Sequence, residues 1–216
     1  LKNTKVEKQP LLPTENNVLK TFSIENEPVV ELVNNREREY IFADLPDIGY
    51  STDIDTVMAS SYQVKKQLQQ IVKIEQPITN TLLYKRILRI WNLTRVTTRL
   101  QVFIDSLLED AYKDPLSGDT IIYWENKEKA KECDFYRINS KRDILDIPIL
   151  EVMSAARYAI EQQISMPIED LKRLTSQLLG FSRKGNNLDM VTEQTIQLLI
   201  NKGIFSHANG MVSMNN

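Results

Sequence analysis

Cationic side chains are concentrated in two stretches of the chain that contain no acidic residue, 76–104 and 171–188. Guanidinium and ammonium groups bind phosphate through charge-assisted hydrogen bonds, so such clusters indicate a nucleic-acid partner. A charged helix face that only keeps the protein in solution has the same composition and is the competing interpretation. The predicted nucleic-acid-binding residues are Arg86, Arg89, Arg95, Arg99, Lys172, Arg173, Arg183 and Lys184.

The net charge of the chain is −2, but the charge is distributed unevenly. Acidic residues strongly outnumber Arg36 and Arg38, the basic residues of the segment 21–60. A slightly acidic protein can still attract a polyanion to a basic patch, so the overall charge does not exclude nucleic acid. The acidic segment is also a candidate partner for the basic stretches within the same molecule.

A weaker candidate for chemistry lies between residues 119 and 127. Asp119, the apolar run 121–124, Glu125 and Lys127 imitate the arrangement by which some nucleases hold Mg²⁺ and position a water molecule. The same residues are typical of a solvated hairpin tip, which is the interpretation we favour. The chain has one cysteine and one histidine and no Gly-x-x-x-x-Gly-Lys-Ser/Thr loop. We therefore expect a protein without catalytic activity, metal ion or cofactor.

The elements that must position the cations follow one plan that occurs twice. Pro77-Ile78 and Pro167-Ile168 each open a helical segment, which is followed by a short turn and a second helix with apolar residues at helical spacing. Asn92 and Gly180 lie in the two turns, where a left-handed backbone conformation ends a helix. The basic stretches fall on the same part of each copy.

A β-hairpin is predicted after the second helix of each copy. In the second copy Asn209-Gly210 is a strong hairpin turn signal between two short apolar runs. In the first copy we expect strands at 119–124 and 134–138, joined by a charged turn. Helix, turn, helix and hairpin together make a winged helix-turn-helix, so the predicted fold class is mainly α with small β-hairpins, an α+β protein with two tandem winged-helix units.

The domain organisation predicted from these patterns has four parts. Residues 1–20 are expected to be a linker, 21–55 an acidic irregular arm, 56–140 the first winged-helix unit and 145–216 the second. Because the chain begins with Leu1, we expect it to be part of a longer protein. No apolar run approaches the ~18 residues of a membrane span, and a single cysteine fits a reducing compartment. The expected location is the cytoplasm.

Several segments together resemble a bacterial family of domains of unknown function. The resemblance is carried by 71–78, Arg86, 92–97, Trp124, 147–152 and 179–185. That family lies at the C-terminus of very large superfamily 1 helicase-like proteins, after a restriction-endonuclease-like domain. Asn92 and Thr97 stand where the family usually has glycine. The resemblance implies an accessory role in DNA or RNA transactions, with the upstream helicase and nuclease-like domains as partners.

The sequence therefore predicts a non-catalytic accessory module that binds or positions nucleic acid, DNA rather than RNA, through the basic faces of its two units. The alternative is a docking module for other protein domains, without nucleic-acid contact; a metal-dependent nuclease is the third possibility. The aromatic residues Trp91, Tyr123, Trp124 and Phe181 are expected in the core more than on bases. For Arg137, Lys141 and Arg142, phosphate contact and a solvated face are equally compatible with the sequence.

Overall fold

The computed structural model of the protein describes residues 34–50, 52–114, 120–138 and 141–215, which belong to one compact unit beginning at Asn34. About half of the structure is helical and the remainder includes small antiparallel sheets, which is an α+β fold. The predicted linker and residues 21–33 of the predicted arm lie outside the described residues. No helix within the described part is long and apolar enough to cross a membrane.

The first half contains a strand, four helices and a small sheet. Strand β1 (Glu37–Glu39) precedes helices α1 (Ile54–Ala59) and α2 (Ser61–Glu75), followed by β2 (Ile78–Thr79), α3 (Asn80–Ile90), α4 (Thr98–Leu107), β3 (Tyr112–Asp114) and β4 (Ile122–Trp124). Side chains of Asp53, Thr79 and Thr97 accept hydrogen bonds from backbone amides in the first turns of α1, α3 and α4, which fixes where these helices begin. The antiparallel sheet has the order β2, β4, β3.

The second half repeats this order of elements after a short connection. It comprises α5 (Lys127–Lys131), β5 (Tyr136–Ile138), a 3-10 helix (Ile144–Asp146), α6 (Ile149–Glu161), β6 (Met166–Pro167), α7 (Ile168–Leu178), α8 (Asn186–Asn201), β7 (Phe205–Ala208) and β8 (Met211–Met214). The sheet order is β6, β8, β7, which matches the order in the first half. Each half thus has a helix, a short strand, two helices and a hairpin.

The predicted turn residues adopt the expected backbone conformations. Asn92 has φ 48° and Gly180 has φ 88°, so both occupy the left-handed region that ends a helix. Asn209 and Gly210, with φ 53° and 77°, form the two-residue turn between β7 and β8. These three predictions are confirmed, because each depends only on local backbone preferences.

The hairpin predicted in the first half is placed differently by the structure. Strand β4 pairs with β3, and β5 pairs in parallel with β1. The charged segment predicted as a turn is helix α5, because Asn126 accepts a hydrogen bond from Lys129 N (2.9 Å), with Glu128 in the first turn and Lys131 in the last. Asp119 lies outside the described residues.

The arm is part of the core rather than an appendage. Tyr40 and Ala43 are buried in the hydrophobic cluster of the first half, together with residues of α2 and α3. Tyr136 N donates to Arg36 O and Tyr40 N donates to Ile138 O, so the arm is bonded to both ends of β5. The cores of the second half are formed mainly by α6, α7, α8, β7 and β8.

Candidate nucleic-acid interface

The turn between α7 and α8 presents two of the predicted cations to solvent. Gly180 N donates to Gln177 O (2.9 Å) and Phe181 N donates to Ser176 O (3.0 Å), which folds the chain back over the end of α7. Phe181 is half-buried against the core of the second half. Arg183 and Lys184 are exposed, and neither has an ion-pair partner among the described residues.

Helix α8 begins directly after these cations, and its amino end is open. The residue before its first turn is Gly185, which has no side chain to accept from the first-turn amides. Within the described ranges, Asp189 N donates to Gly185 O (2.9 Å), while the amides of Asn186, Asn187 and Leu188 have no hydrogen-bond acceptor. Unpaired amides and the helix dipole make this end electropositive.

A cavity of about 570 Å³ lies at this end of α8. Lys141 and Arg183 line it together with Phe181 and the first turn of α8. Asp143 also lines it, but its carboxylate accepts a hydrogen bond from Leu145 N (3.0 Å). A phosphate group placed here would meet two cationic side chains and backbone amides, the combination that protein helices use for anions.

A second cavity of about 550 Å³ shares Phe181 and Arg183 with the first and has a different electrostatic character. Lys172 lies in it and is only 8% exposed. Its Nζ atom is 3.2 Å from Glu169 Oε1, 2.8 Å from Asp189 Oδ1 and 3.2 Å from Glu193 Oε2. The hydrogen bond to Asp189 is the main cause of the raised pKa of Lys172, which outweighs the opposing effect of burial. Lys172 is therefore surrounded by three carboxylates, whose negative charge exceeds its own positive charge.

The Arg86 side chain is also bound by groups of the protein itself. Its Nε atom donates to Glu75 Oε1 (2.9 Å), its Nη2 atom donates to Ala43 O (2.6 Å), and the side chain is 11% exposed. Glu75 is fully buried and additionally accepts hydrogen bonds from Tyr40 and the amide of Ala43. In this structure Arg86 holds the arm against α2 and α3, and its guanidinium group is bound within the protein.

The remaining predicted cations are at the surface. Arg99 pairs with Asp55 (2.7 Å) and Arg173 with Asp170 (3.0 Å), in both cases between exposed side chains. Such surface pairs contribute little energy and exchange readily for another anion. Arg89 and Arg95 are exposed and, among the described residues, have no ion-pair partner.

Arg137 and Arg142 belong to a buried network instead of a wing surface. Both guanidinium groups bind the carboxylate of Glu151 on α6, and Arg137 also donates to the backbone oxygens of Glu75, Gln76 and Pro77. Burial by itself raises the pKa of Glu151, but the charges of Arg137 and Arg142 outweigh burial and lower it. Of the three cations left open by the sequence, only Lys141 is exposed.

Most of the aromatic candidates are core residues, as expected. Trp91, Tyr123 and Trp124 are buried; Trp91 Nε1 donates to Gln67 Oε1 (2.8 Å) and the Tyr123 hydroxyl donates to Asp105 Oδ1 (2.9 Å). Phe181 is the exception, since it forms part of the wall of both cavities. The Glu125 carboxylate accepts a hydrogen bond from Gln76 Nε2 (3.4 Å), and Glu125 N donates to Gln76 Oε1 (2.9 Å). No group of three metal-binding side chains is found in the part of the chain that the structure describes.

Sequence reasoning missed the contribution of Lys141 and the open end of α8 to one cavity. Lys141 lies far from Arg183 in the chain, so no local pattern joins them. The signal that was present is the order Arg183-Lys184-Gly185 immediately before a helix, which puts cations and an uncapped helix end side by side.

Lys141, Arg183 and Lys184 form a cationic rim near the amino end of α8. This α+β protein therefore has a candidate surface for a polyanion. Residues 59–102 match the family described as "Protein of unknown function (DUF3320)". The match includes all of α2, β2 and α3, and the beginning of α4. No curated protein and no solved structure matches the chain.

Proposed function

We propose that this chain is a non-catalytic accessory module that binds nucleic acid, DNA rather than RNA, through the rim formed by Lys141, Arg183 and Lys184. We further propose that it serves a helicase-like cytoplasmic protein, whose helicase and nuclease-like domains would be its partners. That part of the proposal is supported only by the family resemblance of the sequence. The binding proposal is supported by charge and geometry.

The order of elements supports two winged helix-turn-helix units. In each half a helix, a short strand, two helices joined by a tight turn and a hairpin follow one another. The short strand pairs with the second strand of the hairpin. In helix-turn-helix proteins the amino end of the second helix approaches the nucleic acid, while the turn contacts phosphates. In the second half that end is α8, and the turn carries Arg183 and Lys184.

The single observation that carries the proposal is the cavity at the amino end of α8. Its two exposed cations come from segments far apart in sequence and face unpaired backbone amides. Phosphate contacts of this kind position a protein on a nucleic acid without reading its sequence. We therefore expect affinity that depends weakly on base sequence and strongly on salt.

The alternative function, docking on another protein domain, is favoured by one feature of the first half. The outward side of α4 carries one apolar side chain: Val102 is 65% exposed and lines a cavity of about 370 Å³ with Met58 and Phe103. Arg99, the cation beside this cavity, is paired with Asp55. The partner of such a face would be an apolar surface of a neighbouring domain.

Fluorescence anisotropy with labelled DNA tests the proposal. The variant Arg183→Ala/Lys184→Ala and the variant Lys141→Ala should each weaken binding about equally for unrelated sequences. The slope of log affinity against log salt should flatten by roughly one unit for each phosphate that the variant no longer neutralises. The matched control is Lys202→Ala, which removes one exposed cation from the opposite end of α8 and should leave affinity nearly unchanged.

Two results would overturn the proposal. One is that the purified chain binds neither single-stranded nor duplex DNA at low salt. The other is that Lys202→Ala weakens binding as much as the rim variants, which would mean that only overall charge matters. In the first case the docking alternative takes its place.

A further inference from the structure

Helix α8 contains no lysine or arginine between Asn186 and Asn201. Its outward side chains are neutral, such as Gln194 and Gln197, or acidic, namely Asp189 and Glu193. A helix that enters the major groove of a duplex has phosphates of both strands on its two sides, because the groove is only about 12 Å wide. A cation-free helix is therefore poorly suited to that position.

The acidic residues near α8 make insertion of this helix into a duplex groove unfavourable. Glu169, Asp189 and Glu193 surround the single ammonium group of Lys172, and Glu169 and Asp189 are 74% and 68% exposed. Three carboxylates against one cation leave an excess of negative charge along the first two turns of α8. Duplex phosphates brought within a Debye length, about 8 Å at physiological salt, would be repelled.

The cations lie beyond the amino end of α8, next to an aromatic side chain. Phe181 lines both cavities, of about 570 and 550 Å³, and packs on the core of the second half. Lys141 and Arg183 line the first cavity, together with Asp143. Arg183 also lines the second cavity, together with Lys184 and Asp189. A rigid aromatic beside cationic groups is the arrangement that holds single strands, where a base stacks and the backbone follows the charges.

We propose that the second half prefers single-stranded DNA to duplex DNA, with the backbone bound by Lys141, Arg183 and Lys184 and a base stacked on Phe181. This inference rests on the proposed function and specifies the form of nucleic acid. The side-chain amides of Asn186 and Asn187 line the same cavity and are placed to meet base edges. A flexible strand can follow Lys141 and Arg183 along the first cavity, which Asp189 and Glu193 do not line.

The test uses the full chain and one labelled oligonucleotide of mixed, non-self-complementary sequence, offered alone and annealed to its complement at the same salt. We expect the single strand to bind at least about tenfold more tightly, the lower range of one stacked base. Phe181→Leu, which keeps an apolar side chain on the core, should weaken single-strand binding by about tenfold and leave duplex binding nearly unchanged. A purely structural role of Phe181 would lower both.

A second variant tests the charge argument. Asp189→Asn/Glu193→Gln should raise duplex affinity more than single-strand affinity. The charge-matched control Glu109→Gln/Glu128→Gln, at exposed positions of the first half and α5, should change neither appreciably. The inference is wrong, while the proposed function remains, if the duplex binds as tightly as the single strand. The same holds if Asp189→Asn/Glu193→Gln does not reduce the difference between single-strand and duplex affinity. If neither form binds, both are wrong.

Discussion

Arg142 on the connection before α6 donates two parallel hydrogen bonds to Glu151, from Nη1 to Oε1 (2.7 Å) and from Nη2 to Oε2 (3.0 Å). Arg137 binds the same carboxylate, and the Tyr40 ring lies 4.1 Å from the Arg142 guanidinium and 4.6 Å from that of Arg137. One fully buried carboxylate is thus shared by two buried cations. The arm, β5 and α6 meet at this point, so the network fixes the arm between elements that are remote in the chain.

The first prediction concerns the stability that depends on Glu151. Glu151→Gln removes the buried carboxylate that Arg137 and Arg142 share, and removing one member of a buried ion pair costs about 3–5 kcal/mol. We expect a loss of that size in the free energy of unfolding, measured by urea denaturation. Glu109→Gln, at an exposed position, should change it by less than about 0.5 kcal/mol. Equal losses in the two variants would show that the network is not stabilising.

The second prediction is the pH dependence of the same network. The pKa of Glu151 in the folded protein lies below its usual value of 4.5. Its contribution to stability is therefore fully present above about pH 4.5 and is lost as the pH falls further, through the lowered pKa. The difference in unfolding free energy between the wild type and Glu151→Gln should be constant from pH 7 to pH 5 and shrink below pH 4.5. A difference that stays constant down to pH 3 would contradict the lowered pKa.

The third prediction uses the two equivalent turns. Gly180 has φ 88°, and a Cβ atom there would meet nothing within 4 Å, so any cost of substitution comes from the backbone conformation alone. Gly180→Val should lower the free energy of unfolding by ~1 kcal/mol or more, since β-branched residues are strained in the left-handed region.

The control for this variant is supplied by the first half, where Asn92 occupies the corresponding turn with φ 48°. Gly180→Asn should be destabilised less than Gly180→Val, because asparagine tolerates the left-handed region. Thermal melting compares the two. If both variants melt like the wild type, the conformation of this turn does not matter to the stability of the second half.

The fourth prediction concerns the arm. Tyr40 is buried, and its hydroxyl donates to Glu75 Oε2 (2.6 Å). Tyr40→Phe should cost about 1–3 kcal/mol, because a buried carboxylate oxygen loses its donor, and Tyr40→Ala about 3–5 kcal/mol, because a cavity is also created. Tyr62, 72% exposed, provides the matched control: Tyr62→Ala should change stability by less than about 0.5 kcal/mol.

A consequence for truncation follows from the burial of Tyr40 and Ala43. If the acidic arm only covered the basic faces, a chain beginning near Ser60 would fold normally and bind nucleic acid more tightly. Because the arm supplies core residues and binds Arg86, we expect that chain to be strongly destabilised instead. Circular dichroism and thermal melting of the shortened chain distinguish the two outcomes.

The helical elements and the turns were predictable because they depend on neighbours in the chain. As the helical spacing after Pro77-Ile78 and Pro167-Ile168 predicted, α3 begins at Asn80 and α7 at Ile168, and a second helix, α4 or α8, follows each. Asn92, Gly180 and Asn209-Gly210 are turn residues whatever their surroundings. The contact between Asp146 and Lys85 was not predictable in this way, because the Asp146 carboxylate accepts hydrogen bonds from Lys85 Nζ (2.8 and 2.7 Å) across the structure.

What the sequence by itself determined is the order of the elements, their repetition and the positions where the chain reverses, since these follow from periodicity and backbone preference. Only the tertiary structure decided which cations are available to a partner. In the sequence, Arg86, Arg137 and Lys172 are not distinguishable from Arg95 and Arg183. In the structure, carboxylates from other parts of the chain pair with the first three. The physical reason is that charge pairing acts through space, so local spacing in the chain does not specify which charges meet.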